Sequence, residues 1–335
     1  MKQIIKQGFS TAANLLGPHR LGNFKNSPKL WVLMYHRILP ANDIRFNLEE
    51  PGMIVEPDTF SMHLRELKKY FDVMDLTEWL DLRLNNKPIP ARACAITFDD
   101  GWHDNYEYAL PIIKQEQAPI TLFAVVEKIG TDFQFWPNIV NMLLHSNAIS
   151  LLHQCPLFSQ IKSIIQQKDF SSRKEQSAHI IQALKRFSDA EIFDALDNLR
   201  WREYIFTEPP RALMNWEEIE IMEASGLVKI ASHTCNHKRL NAQLPINELT
   251  HEIASSKYIL LDKIPTATNI FCFPNGDYNS AALNLVTENY RAAVTTRRGV
   301  VDAYNTPVHE LSRIGVHQQI SHTPKLLGAR LSGWI

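Results

Sequence analysis

Two carboxylates and two histidines carry the most visible chemistry in this sequence. Asp99 and Asp100 are adjacent in Thr97-Phe98-Asp99-Asp100-Gly101, at the end of an apolar run over residues 93–98. Ligands gather at the C-terminal ends of parallel strands, and two close carboxylates repel, so a cation beside them is the natural remedy. The plainer reading is an acidic pair at the start of the next helix, where the macrodipole favours negative charge. His233 and His237 frame His233-Thr234-Cys235-Asn236-His237, directly after another apolar run at 228–232. Histidines four apart on a helical turn present two imidazoles to one metal. Each motif is weak by itself, and the pair is specific. Asp100, His233 and His237 form a one-carboxylate, two-histidine triad with positions left for water and substrate. Cys235 or a carboxylate from elsewhere are other sources of a third ligand. Asp99 then lies beside the metal as a general base, and such an ion acidifies water and polarises a carbonyl.

Two further stretches supply supporting groups. Pro274-Asn275-Gly276 is a tight turn whose backbone N–H groups can line an oxyanion hole. Leu311-Ser312-Arg313-Ile314-Gly315-Val316-His317 delivers an arginine and a histidine to one face. The plain alternatives are an ordinary turn and a surface histidine. Tyr35, Trp102 and Trp136 are candidates to stack on a ligand's rings, against the commoner use of such residues in packing.

These groups need a frame. Apolar runs at 30–35, 93–98, 120–125, 228–231, 270–273 and 292–295 suit strands buried on both faces, hence a parallel sheet covered by helices. Helical periodicity falls between them, at 60–70, 77–85, 105–115, 216–225, 246–261 and 281–289. Asp104 is placed to cap the third of these, and Gly226 to stop the fourth. Alternation of strand and helix predicts an α/β fold. Residues 131–213 break the rhythm with helical periodicity alone (Ile180, Ile181, Leu184, Phe187) and read as a helical insertion. The domain plan is thus an N-terminal helical segment over 1–29 and a catalytic domain over 30–335.

The chain has 335 residues, 45% of them hydrophobic, and a formal net charge of -1. That is globular composition with ample core material, and it offers no electrostatic reason for a nucleic-acid partner. Cys94, Cys155, Cys235 and Cys272 are too few and too scattered for a disulfide framework. Residues 1–16 lack the apolar h-region of a secretory signal, and no stretch approaches the roughly 18 apolar residues of a membrane span. The cytoplasm is therefore the expected compartment. Ile5, Phe9, Ala12 and Leu16 share one helical face, which reads as a docking helix or, second, as a membrane-surface contact.

The motifs together resemble the polysaccharide deacetylases of the NodB-homology type, carbohydrate esterase family 4. Thr97-Phe98-Asp99-Asp100-Gly101 is similar to that family's first motif, and His233 and His237 match its His-Thr/Ser-x-x-His second motif. Met34-Tyr35-His36-Arg37-Ile38, Trp216-Glu217-Glu218 and Phe273-Pro274-Asn275-Gly276 resemble the branch acting on bacterial surface polysaccharides. The likeness covers about 30–125 and 214–317. It implies a distorted (β/α) barrel, a divalent metal, typically zinc, and hydrolysis of N-acetyl groups on amino sugars. By position it makes Asp99 the base, Asp100, His233 and His237 the ligands, and the Asn275 N–H an oxyanion donor. Water activated at the metal would attack the acetamide. Two departures stand out. Cys272 lies where many relatives place an arginine against the base aspartate, so Arg313 is expected to take that role. The family's Leu-x-His motif is absent, which leaves His317 as the expected acid.

Other readings of the same residues are a hydrolase of a different amide or an O-acetyl ester, and a non-catalytic carbohydrate-binding relative. An intact acid beside an intact metal triad argues against the last. The expected substrate is an N-acetylated carbohydrate of a bacterial surface polysaccharide or its lipid-linked precursor.

Overall fold

In the computed structural model, residues 11–161, 170, 172–205, 209–241 and 244–334 are described. Seven strands form the frame: β1 (Lys29–Tyr35), β2 (Arg92–Phe98), β3 (Ile120–Ala124), β4 (Val228–Ser232), β5 (Ile270–Cys272), β6 (Ala292–Arg298) and β7 (Leu311–Gly315). Each pairs in parallel with its neighbours in the order β1-β2-β3-β4-β5-β6-β7, and β7 pairs back onto β1, closing a barrel. Short strands add to its edges, Asp72–Val73 on β2 and an antiparallel Val301–Asp302 on β1. Every residue of β3 is buried, as is all of β2 after Arg92, which is why these runs show no period-two alternation in the sequence.

Helices wrap the barrel. Pro57–Tyr70 starts on a proline at its first turn and buries Phe60, His63, Leu64 and Leu67, one face at helical spacing. Trp216–Ala224 opens with a capping box between Asn215 and Glu218 and stops before Gly226, whose φ is +73°. Fully buried side chains such as Leu30, Phe123, Phe271 and Phe273 each contribute about 1.5–3 kcal/mol of burial.

Residues 41–50 and 132–212 form a second, helical unit. Its helices, Trp136–His145, Arg173–Leu184 and Asp189–Asn198, pack Ile139, Leu143, Ile180, Leu184, Ile192 and Leu196 into a core of their own. The segment 41–50 joins through Asn138, whose amide donates to Glu49 Oε2 at 2.8 Å. Nothing in the sequence pattern had separated 41–50 from the barrel.

Several expectations change. The strand Leu311–Gly315 was absent from the six expected runs, because Ser312 and Arg313 interrupt its apolar character. Asp104 makes no cap; its carboxylate accepts from Arg37 and the Ile38 N–H in a buried ion pair. The helix expected over 246–261 is two α-helices, Ile246–Thr250 and Ser256–Lys263, joined through a π-type turn at His251–Ser255. Trp136 is buried in the helical unit's core, Tyr35 is buried between Phe60 and Phe98, and Trp102 is buried as well, so none of the three offers a sugar-stacking face. Ile5 and Phe9 lie outside the described residues, and Leu16 is 58% exposed. Among the described residues no helix is long and apolar enough to cross a membrane.

Candidate active site

The site is assembled by strand register. Tyr35 on β1 stands opposite Phe98 on β2, so the next residues, His36 and Asp99, emerge side by side at the C-terminal rim. Beyond Asp99 the strand breaks: Asp100 has φ +76° and Gly101 φ +85°, conformations that cost a side-chain-bearing residue energy. The turn swings the second carboxylate towards β4, and the Val125 N–H bonds to the Asp100 carbonyl at 3.4 Å.

On the far side, Ala124 of β3 pairs with Ser232 of β4, and the His233 N–H donates to the Ala124 carbonyl at 2.9 Å. His233 Nδ1 lies 2.9 Å from the Cys272 carbonyl, so Nδ1 carries the proton and Nε2 keeps its lone pair for the site. The stretch 233–237 is a loop and not the expected helical turn: Thr234 and His237 have φ of +67° and +60°. The loop achieves the convergence nonetheless. Asp100 Oδ1 lies 3.3 Å from His233 Nε2 and 3.3 Å from His237 Nε2. The other oxygen, Oδ2, accepts from Trp102 Nε1 at 2.8 Å. Trp102 is itself overlain by the Arg37 guanidinium, 4.1 Å from its ring.

This arrangement fits a divalent ion. Three donor atoms of a hard carboxylate and two imidazoles face one point, and Asp100 and His233 each have an outer partner that orients them, the Trp102 indole and the Cys272 carbonyl. Burial acts to raise the Asp100 carboxyl, but the His233 and His237 imidazoles beside it bring it well below its ordinary value. Cys235 does not join this set. It is buried on the other side of the loop, where its thiol donates to the His251 carbonyl at 3.3 Å beside Glu127.

Asp99 is held differently. Arg313 on β7 reaches through the barrel interior and grips both its oxygens, Nη1 to Oδ1 at 2.6 Å and Nη2 to Oδ2 at 2.7 Å. Arg313 is in turn fixed by the Thr295 carbonyl at 2.9 Å and by Thr97 Oγ1 at 3.1 Å. Burial pushes the Asp99 carboxyl up, yet the Arg313 charge and hydrogen bonds, helped by His233 and His36, bring it below the usual carboxylate value. Cys272 contacts Arg313 through Sγ at 3.2 Å, and burial keeps its thiol neutral.

The sequence profile of the polysaccharide deacetylase family matches residues 86–153 and 182–293. The chain belongs to that family. Among curated sequences, this chain is 32% identical over 103 residues to the putative polysaccharide deacetylase YxkH of Bacillus subtilis (strain 168), a match over 30% of this chain and 34% of that protein. The chain thus aligns with about a third of the length of that relative. Among solved structures, the deacetylase PplD of Streptococcus pyogenes, in complex with acetate, superposes with a TM-score of 0.58 at 21% identity, over 90% of this chain and 97% of that one. IcaB from Ammonifex degensii gives a TM-score of 0.58 at 17% identity, with the same coverage of 90% and 97%. These likenesses establish the fold.

Two further residues were assigned from sequence, Asn275 and His317. Asn275 sits in an exposed turn after β5, with φ +55°, and its carbonyl accepts from Thr296 Oγ1 at 3.1 Å. His317 follows β7 and is half-buried; its Nδ1 has no hydrogen-bond partner among the described residues. Burial, then the nearby Arg330, lowers its pKa. No described contact joins either residue to Asp99, Asp100, His233 or His237. The residue that sequence reasoning left without a role is His36, whose Nε2 is 3.8 Å from Asp99 Oδ2. Its signal was positional: Met34-Tyr35-His36 ends its strand as Thr97-Phe98-Asp99 ends the next.

Proposed function

We propose that the chain is a metal-dependent hydrolase that removes N-acetyl groups from amino sugars of a bacterial surface polysaccharide or its lipid-linked precursor. One observation carries the reading: Asp100 Oδ1 is equidistant from two histidine Nε2 atoms, while the adjacent Asp99 is turned away onto Arg313. One aspartate is built as a ligand and its neighbour as a base. The acetate bound to PplD, a protein of the same fold, is the acid such a reaction releases, which supports the reading.

Asp100, His233 and His237 would hold the ion, which when bound supplies Lewis acidity and a lowered water pKa. Asp99, kept ionised by Arg313, takes a proton from the attacking water. The water oxygen adds to the acetamide carbon, and negative charge develops on the carbonyl oxygen, to which the Asn275 N–H is the candidate backbone donor. The C–N bond then breaks, acetate is released, and the amine nitrogen takes up a proton. We assign that proton to His36, because it already flanks Asp99; His317, with its unpartnered Nδ1, is the second candidate.

The experiment is acetate release from N-acetylglucosamine oligomers and lipid-linked glycans, with zinc, with chelator and with Asp99→Asn. Zinc-dependent release that is lost in Asp99→Asn supports the reading. Stoichiometric zinc with no release from any acetylated sugar points to a binding role, and release from O-acetyl esters alone to an esterase.

A further inference from the structure

Behind the loop that carries His233 and His237 lies a polar clamp that takes no part in the chemistry. Asn236, one residue before His237, makes three hydrogen bonds to two glutamates. Its backbone N–H donates to Glu252 Oε2 at 2.7 Å, and its side-chain amide donates to Glu252 Oε1 at 3.0 Å and to Glu127 Oε2 at 2.7 Å. Both amide hydrogens and the main-chain donor of Asn236 are thereby used.

Glu252 is fully buried, an unusual place for a carboxylate unless both oxygens are satisfied. It belongs to the π-type turn His251–Ser255, a geometry that sacrifices regular helical bonding and recurs at functional positions. Glu127 comes from the other side. It follows β3, and the Val126 and Glu127 N–H groups donate to the Thr234 and Cys235 carbonyls at 3.1 and 3.0 Å. Its second oxygen, Oε1, lies 2.9 Å from His251 Nε2. The five-residue loop is therefore gripped by β3's extension and by the π turn together.

The loop needs such restraint. Thr234 and His237 both occupy the left-handed region, at φ +67° and +60°, a conformation that a β-branched or imidazole side chain holds only when its surroundings impose it. The Thr234 hydroxyl accepts from the His237 N–H at 2.8 Å, but that bond lies within the loop and cannot orient it relative to Asp100.

We propose that Glu252, assisted by Glu127, is a positioning residue for the metal centre, clamping Asn236 so that the His237 imidazole meets Asp100. This rests on reading Asp100, His233 and His237 as metal ligands. Outer partners of this kind set metal affinity by orienting a ligand they do not replace. Glu252→Gln is the informative change. It is isosteric, yet it turns one of two acceptor oxygens into an amide that faces a donor of Asn236.

The test is zinc affinity by chelator competition on wild type, Glu252→Gln and Asn236→Ala, with kcat and KM measured at limiting and at excess zinc. Zinc binding should weaken by roughly 10–100-fold in Glu252→Gln. The kcat lost at limiting zinc should return with excess zinc, while KM changes little. Asn236→Ala keeps the buried glutamate and removes the side-chain donors, so it should weaken zinc in the same direction even if Glu252→Gln fails to fold. Unchanged affinity in a folded variant overturns the clamp. A wild-type protein that binds no zinc overturns the metal reading itself, and the clamp with it.

Discussion

Arg313 and Asp99 meet as a planar fork on a carboxylate, with parallel bonds of 2.6 and 2.7 Å, across the closed interior of the barrel. The pair joins β7 to the end of β2, and both side chains are shut off from solvent. It fixes the orientation and the charge of Asp99 at the same time, which is what a general base beside a metal site requires.

Lysine cannot reproduce this fork. Arg313→Lys keeps one positive charge but loses the two-point grip; kcat is expected to fall by roughly tenfold or more, with KM little changed. Arg313→Ala leaves a buried carboxylate without its counter-charge and should cost about 3–5 kcal/mol of stability. Steady-state kinetics on the first variant and urea denaturation on the second check the two statements. A lysine variant with wild-type kcat would remove Arg313 from the account.

Trp102 decides which oxygen of Asp100 faces the histidines, because its indole N–H occupies Oδ2. Trp102→Phe keeps an aromatic ring beneath Arg37, smaller than the indole, and deletes the donor. Zinc affinity should drop about 10–100-fold, read by competition with a coloured chelator, while the melting temperature of the metal-free protein moves little. Equal affinity in both proteins would mean that the indole merely packs.

The two candidate acids are separable by kinetics. His36→Asn should lower kcat by about 10²-fold or more, the usual worth of a positioned proton donor. His317→Asn should leave most of the rate, since no described contact ties His317 to the cluster. The reverse order would transfer the role to His317.

Stability should fall in acid through His63, away from the site. Its Nε2–H donates to the Ser321 carbonyl at 2.7 Å, and its Nδ1 takes the Tyr35 hydroxyl at 2.9 Å, so the buried ring is neutral. Burial lowers its pKa from 6.5 to about 4, against the Ser321 bond, which acts to raise it. The unfolded chain therefore binds a proton that the folded chain refuses as pH drops from 6.5 towards 4. The linkage amounts to roughly 3 kcal/mol lost across that window. Urea midpoints at pH 7 and pH 4.5 should show a shallower loss in His63→Gln than in wild type; identical slopes would show that His63 contributes none of it.

Much of this was legible in the chain. Six of the seven barrel strands show as continuous apolar runs because they are covered on both faces. The Asp-Asp and His-x3-His motifs stand at strand ends, where parallel folds place their ligands. What escaped detection depends on tertiary contact. Strand β7 went unseen because Arg313, expected from the resemblance to hold Asp99, breaks its apolar pattern by aiming inward at that partner 214 positions away in sequence. Asp104 looks like a helix cap and is instead the counter-charge of Arg37, whose position on the neighbouring strand's extension no local pattern reveals. His36 gains meaning only from the register of β1 on β2. Glu252 reads as one more helical glutamate until the π turn buries it against Asn236.

The central claim is that one aspartate of the pair binds an ion and the other moves a proton. The most direct measurement is a zinc titration of chelator-stripped wild-type and Asp99→Asn protein, following bound zinc and released acetate in the same samples. The account predicts that both proteins bind one zinc with similar affinity, that acetate release by wild type saturates at that equivalence, and that Asp99→Asn releases at least about 10²-fold less. Acetate release by wild type that continues undiminished after stripping, or by Asp99→Asn at the wild-type rate, would contradict it.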